Sequence, residues 1–194
     1  MARGYVFVCA ASLVALLGAP ALAQVTLNAA INVDNVFTAF ISTSPTLAGT
    51  SIANGISWPT TTSGTYVFPG AGTYYLHVLA TDQGPPAMFI GTFSLSNAAG
   101  STFSNGGTSL LTNATDWVVS NTGFGMNETA PLDIAGNPGG AWGNLPGQAV
   151  GARFLWAPTF TPTVYFSTVI TVVPAPAAAA ALGLAGLAAA RRRR

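Results

Sequence analysis

The sequence has one cysteine, one histidine and no lysine, and its 194 residues include only six basic and five acidic side chains. A single thiol, Cys9, rules out a disulfide framework within the chain. Zinc centres draw three or four ligands from Cys, His and carboxylates, so one histidine, His77, leaves no basis for a metal site of that kind. No Gly-x-Ser-x-Gly nucleophile motif occurs, and no glycine loop leads from a strand into a helix to hold phosphates. Charge is also unevenly placed. Arg3 lies near the start, and Arg191, Arg192, Arg193 and Arg194 close the chain. Arg153 therefore stands alone between residues 24 and 173 against Asp34, Asp82, Asp116, Glu128 and Asp133. That interior carries a net charge of −4 and offers no basic surface, so no nucleic-acid partner is expected.

The two ends read as addresses. Arg3 precedes an uncharged apolar run over residues 6–17, then helix-breaking Gly18 and Pro20, then Ala21-Leu22-Ala23. This is the order of an export signal, with residues 1–23 removed and Gln24 as the new N-terminus. The run makes about 18 Å of helix, too short for a hydrocarbon core of about 30 Å. At the other end Pro174, Ala175 and Pro176 lead into fourteen residues of Ala, Leu and Gly at 177–190, then the four arginines. The run favours a hydrophobic helix, and Arg191, Arg192, Arg193 and Arg194 would keep the C-terminus on the cytoplasmic side.

Pro174-Ala175-Pro176, an apolar helix containing LGLAGL and the cluster Arg191-Arg192-Arg193-Arg194 resemble the PEP-CTERM sorting signal of Gram-negative bacteria, with Ala175 at the place of the motif's glutamate. The resemblance covers about the last twenty residues, the segment 174–194. It implies passage through the export machinery, a transmembrane inner-membrane intermediate, and cleavage by an exosortase-like enzyme near the Pro-x-Pro motif. It further implies release to the cell surface or exterior, in species that make exopolysaccharide. A permanently membrane-anchored surface protein is the alternative.

Residues 24–173 have the length of one domain. Short β-rich runs alternate with Gly/Pro turns, and no helical period appears. Strands are expected at 33–42, 65–68, 73–81, 87–96, 116–120, 152–156 and 163–173. Tyr74, Leu76, Val78 and Ala80 share one face of their strand, and Val164, Phe166, Ile170 and Val172 share one face of theirs. Residues 97–115 and 121–148 are rich in Gly, Asn and Ser and read as long surface loops. The pattern predicts an all-β, antiparallel, two-sheet, jelly-roll-like sandwich between the signal helix and the C-terminal hydrophobic helix. VDNVFTAFIST, Trp58, PGAGTYYLHVLATDQG, AMFIGTFSLS and RFLWAP are similar in layout to galactose-binding-like sandwich modules of exported bacterial proteins. Some such modules bind sugars and others are structural, so the fold alone leaves function open.

Within this frame Trp142, in GGAWGNLPG, is a candidate sugar-stacking residue or a loop-packing one. Arg153 is a candidate for pairing with an aspartate or for contacting a sugar hydroxyl. His77 reads as a surface or sheet-edge residue. No cofactor is expected. Asp34, Asn35 and Asp82 could meet at one end of the sandwich and hold a structural calcium, although no EF-hand loop is present. The reading is an exported cell-surface or matrix protein, structural or carbohydrate-contacting and non-catalytic. A secreted glycan hydrolase using two of the five acids is the alternative enzyme reading; Asp116, Glu128 and Asp133 fall close together, but nothing in their spacing demands a pair.

Overall fold

The computed structural model describes residues 24–173. Gln24, the expected new N-terminus, is the first of them; the expected signal helix with Ala21 and Ala23 lies outside. So do the Pro174-Ala175-Pro176 motif, the apolar helix and the cluster of Arg191, Arg192, Arg193 and Arg194. Within the described residues the chain forms twelve strands in two antiparallel sheets, with a single 3-10 turn at Gly140–Trp142. The strands are β1 (Thr26–Asp34), β2 (Val36–Ser42), β3 (Thr50–Gly55), β4 (Thr62–Val67), β5 (Gly72–Thr81) and β6 (Met88–Ser96). They continue as β7 (Thr102–Phe103), β8 (Ser109–Leu111), β9 (Val118–Ser120), β10 (Leu132–Gly136), β11 (Arg153–Trp156) and β12 (Thr163–Val172). The first sheet runs β10-β11-β6-β1-β4, with β8 also on β6. The second runs β3-β2-β5-β12-β7, with β9 also on β12. The architecture is a β-sandwich.

Strand alternation builds the shared core. Leu27, Ala29, Ile31 and Val33 of β1 point inward, as do Tyr74, Leu76, Val78 and Ala80 of β5 and Val164, Phe166, Ile170 and Val172 of β12. Each such side chain, if large, contributes roughly 1.5–3 kcal/mol by leaving water. The expected strand over 33–42 is in fact two. Only Asn35 separates β1 from β2, and there the chain crosses from the first sheet to the second. The corner is held by the Asn35 amide, which donates to the Thr81 carbonyl at 3.0 Å.

Both sheets are also covered on their outer faces, which strand patterning does not anticipate. Against the first sheet, Trp142 and Leu145 pack with Met88, Ile90, Ala152 and Phe154 as a second apolar cluster. That cover is tied down by Asn32, which is fully buried and points away from the main core. Its Nδ2 donates to the Trp58 carbonyl at 2.7 Å, and its Oδ1 accepts from Thr61 Oγ1 at 2.9 Å and Gln148 Nε2 at 2.7 Å. Asn137 repeats the device one layer out, donating to the Gln148 carbonyl and accepting from the Leu145 amide. The stretches read as long loops, 97–115 and 121–148, therefore contain β7, β8 and β10 and bury large side chains, among them Phe103, Leu110, Trp142 and Leu145.

Replacing Asn32 with Ala would leave the Trp58 carbonyl and the Gln148 side-chain amide unpaired, each costing about 1–3 kcal/mol, while Thr61 keeps the Pro146 carbonyl. Urea unfolding of Asn32→Ala should show a loss of about 2 kcal/mol or more. A loss under about 1 kcal/mol would mean that the cover is not anchored there.

Candidate functional site

The outer face of the second sheet is covered by residues 121–128. Phe124 lies over His77, ring centroids 4.2 Å apart and nearly parallel. Tyr75 stacks on the other side of His77 at 5.8 Å, and Phe40 and Tyr165 meet Phe124 edge-on. The close fit depends on Gly125. Its φ of +68° suits glycine, and a β-carbon there would lie 2.8 Å from both the Pro45 carbonyl oxygen and the Thr46 Cγ2. His77 is thus fully buried, not the surface or sheet-edge histidine read from the sequence. Strand alternation does place it on the outer face; what alternation misses is the loop folded over that face.

His77 is held neutral. Its Nε2 lies 3.2 Å from the Ser44 carbonyl, which can only accept, so Nε2 carries the proton. Nδ1 then accepts from Ser167 Oγ at 2.8 Å. Burial pushes its pKa below the usual 6.5, with the Ser44 carbonyl opposing weakly.

Beside this cluster is a notch in the sheet. The ladder along the free side of β12 pairs with β9 at Tyr165 to Ser167 and resumes with β7 at Ile170. In the gap a cavity of about 290 Å³ opens, close to the low end of small-ligand sites, about 300–1,000 Å³. Tyr75, Ser104, Asp116, Glu128, Ser167 and Thr168 supply its chemistry. Thr168 Oγ1 donates to the Asp116 carbonyl at 2.8 Å and lies 2.9 Å from Ser104 Oγ. The Asp116 carboxylate accepts from Asn113 Nδ2 at 2.8 Å, and Glu128 Oε1 from the Gly125 amide at 3.1 Å. One tyrosine, two acidic residues and several hydroxyl residues therefore line one open depression. Asp116 and Glu128 stand out in the sequence as acids; Tyr75 does not, because nothing local marks the break between β9 and β7.

The other singled-out residues lie elsewhere. Trp142 is 6% exposed, its indole donating to Asp34 Oδ2 at 2.9 Å and its ring tilted against Phe154. It is packed and presents no open stacking face. Arg153 is partly exposed and binds Asp133, Nε to both carboxylate oxygens at 2.8 Å and Nη2 to Oδ1 at 2.8 Å. Neither lines the notch. Asp34, Asn35 and Asp82 do come together, at the β1–β2 corner. The sorting residues Pro174, Ala175, Pro176, Arg191, Arg192, Arg193 and Arg194 fall outside the described residues. Among the described residues no group of three or more His, Cys, Asp or Glu side chains is placed to hold a metal, and no helix is long and apolar enough to cross a membrane. No protein-family model, curated protein or solved structure matches the chain.

Because the folded pKa of His77 is depressed, the unfolded chain binds the extra proton first as pH falls. Stability that is complete above about 6.5 is therefore lost as pH drops through 6.5 toward the folded value. Denaturant unfolding between about pH 7.5 and 5 should show that decline, and His77→Gln should flatten it. An equal slope in both proteins would show that His77 is not its source. In Phe124→Ala, NMR titration should find the His77 pKa moved back up toward 6.5.

Proposed function

We propose that this chain is an exported, non-catalytic sandwich protein of the cell surface or extracellular matrix that contacts carbohydrate through the notch beside β12. The observation that carries the reading is the meeting of Tyr75 with Asp116, Glu128 and the Ser104–Thr168 hydroxyl pair in one open cavity. A sugar ring has an apolar C–H face and a rim of hydroxyls. The tyrosine suits the first, and carboxylates and hydroxyls suit the second as acceptors and donors. Export is supported by Arg3, the apolar run and Ala21-Leu22-Ala23. Sorting is supported by Pro174-Ala175-Pro176 followed by the apolar run and Arg191, Arg192, Arg193 and Arg194. On this reading the sandwich is jelly-roll-like, an exosortase-like enzyme processes the inner-membrane precursor, and exopolysaccharide is the partner outside.

The presence of Asp116 and Glu128 in the same cavity also favours a second reading, a glycan hydrolase working with two carboxylates.

Titration of exopolysaccharide fragments should show binding to the wild type that weakens about tenfold or more in Tyr75→Ala, corresponding to about 1.4 kcal/mol. Thermal unfolding of the variant would confirm that the fold is intact. Failure of any polysaccharide to bind, or identical binding by both proteins, would overturn the carbohydrate reading. Release of new reducing ends that disappears in Glu128→Gln would favour the hydrolase. The intact mass of the protein recovered from its native host tests sorting, since an unprocessed chain keeps the four terminal arginines.

A further inference from the structure

The β1–β2 corner contains a charge that the described chain does not balance. Asp82 follows directly on β5, is 4% exposed, and neither of its carboxylate oxygens has a hydrogen-bond partner. Its own amide is engaged, donating to the Pro162 carbonyl at 2.7 Å. Asp34, 7% exposed, is brought to the same corner, since its neighbour Asn35 donates its amide to the Thr81 carbonyl at 3.0 Å. Asp34 itself is oriented from two sides, by Asn35 Nδ2 on Oδ1 at 2.6 Å and by Trp142 Nε1 on Oδ2 at 2.9 Å. Asn35 Oδ1 in turn accepts from the Gln83 amide at 2.6 Å, which draws the chain after Asp82 against the corner.

A buried carboxylate without a donor costs several kcal/mol, and two neighbouring ones cost more. Proteins usually offset this with Arg or Lys. Between residues 24 and 173 there is no lysine, and the one arginine, Arg153, is already bound to Asp133. His77 is neutral and engaged by Ser44 and Ser167. The described fold therefore offers this corner no cationic side chain.

We propose that Asp34 and Asp82 hold a divalent cation, calcium, at the junction of the two sheets. The two carboxylates offer oxygen alone, which suits a hard ion, and calcium accepts less regular oxygen shells than octahedral magnesium does. Asp82 offers both oxygens. Each oxygen of Asp34 accepts only one bond and retains a free lone pair. Calcium takes about six to eight oxygen ligands, the rest of which backbone carbonyls and water would have to supply. The ion would tie the end of β1 to the end of β5 where the chain changes sheets. Asn35 and Trp142 are positioning residues, acting through Asp34. The site is separate from the notch, so the proposal does not depend on carbohydrate binding.

The test uses the full chain, stripped with EDTA and then given calcium, magnesium or terbium. Calcium at about a hundredfold excess over its dissociation constant should raise the melting temperature by roughly 5–10 °C, and magnesium by much less. Terbium should emit on tryptophan excitation, because the Trp142 indole touches Asp34. That emission should fall in Trp142→Phe and, in the wild type, should vanish on adding calcium. Asp82→Asn should abolish both responses yet melt at or above the wild type in EDTA, because it removes the unpaired charge. Asp34→Asn gives a second variant if Asp82→Asn does not fold. No calcium-dependent shift in melting temperature and no terbium emission from the wild type would overturn the proposal.

Discussion

With one cation and five carboxylates between residues 24 and 173, buried polarity has to be satisfied by neutral amides and hydroxyls, and Asn32 is where that constraint acts most strongly. It lies near the end of β1, paired with Ile90 of β6, and faces away from the shared core. Three partners from two parts of the chain converge on it: Trp58 and Thr61 from the β3–β4 connection, and Gln148. Leaving any one unpaired would cost as much as a sizeable apolar contact. The segments that carry them must therefore lie on the sheet, and Trp142 and Leu145 follow them down. The outer layer of the first sheet is thus selected by a polar requirement and then filled by apolar side chains.

The second sheet reaches the same state by another route. Its cover is led by an aromatic, Phe124, closing over a neutral histidine whose two ring nitrogens are both occupied. One aromatic per face, Trp142 or Phe124, converts a sandwich with wet outer surfaces into a structure with packed material on both sides of each sheet. Glycines permit this, since the segments must run close to the sheets and turn sharply, as Gly125 does against Pro45 and Thr46.

Much of the inner architecture is legible in the residues alone. The alternations in β5, β6 and β12 mark the buried faces, because period-two patterning survives wherever one face meets a common core. β1 carries an equally clear alternation in Leu27, Ala29, Ile31 and Val33, but small Ala29 and Ala30 and polar Asn28 and Asn32 mask it, and its end runs without a visible break into β2 across Asn35. The outer layers are not legible. Nothing local distinguishes a Gly- and Asn-rich segment that wanders in solvent from one whose amides are committed to a residue 116 positions away, as Gln148 is to Asn32. For the same reason His77 reads as exposed, and Trp142 as either a stacking or a packing residue. The meeting of Asp34, Asn35 and Asp82 can be foreseen from the strand ends, whereas the notch at β12 depends on where two very short strands stop.

That notch also bears on how the molecule behaves in a crowd. An uncapped strand edge is a template for pairing with other chains, and its danger grows with its length and flatness. Along β12 the opening spans only Thr168 and Val169, bracketed by β9 on one side and β7 on the other. Two residues cannot seed an intermolecular ladder. The last strand can therefore keep its backbone open to solvent without recruiting neighbours into fibrils, a useful property for a β-rich protein at high local concentration.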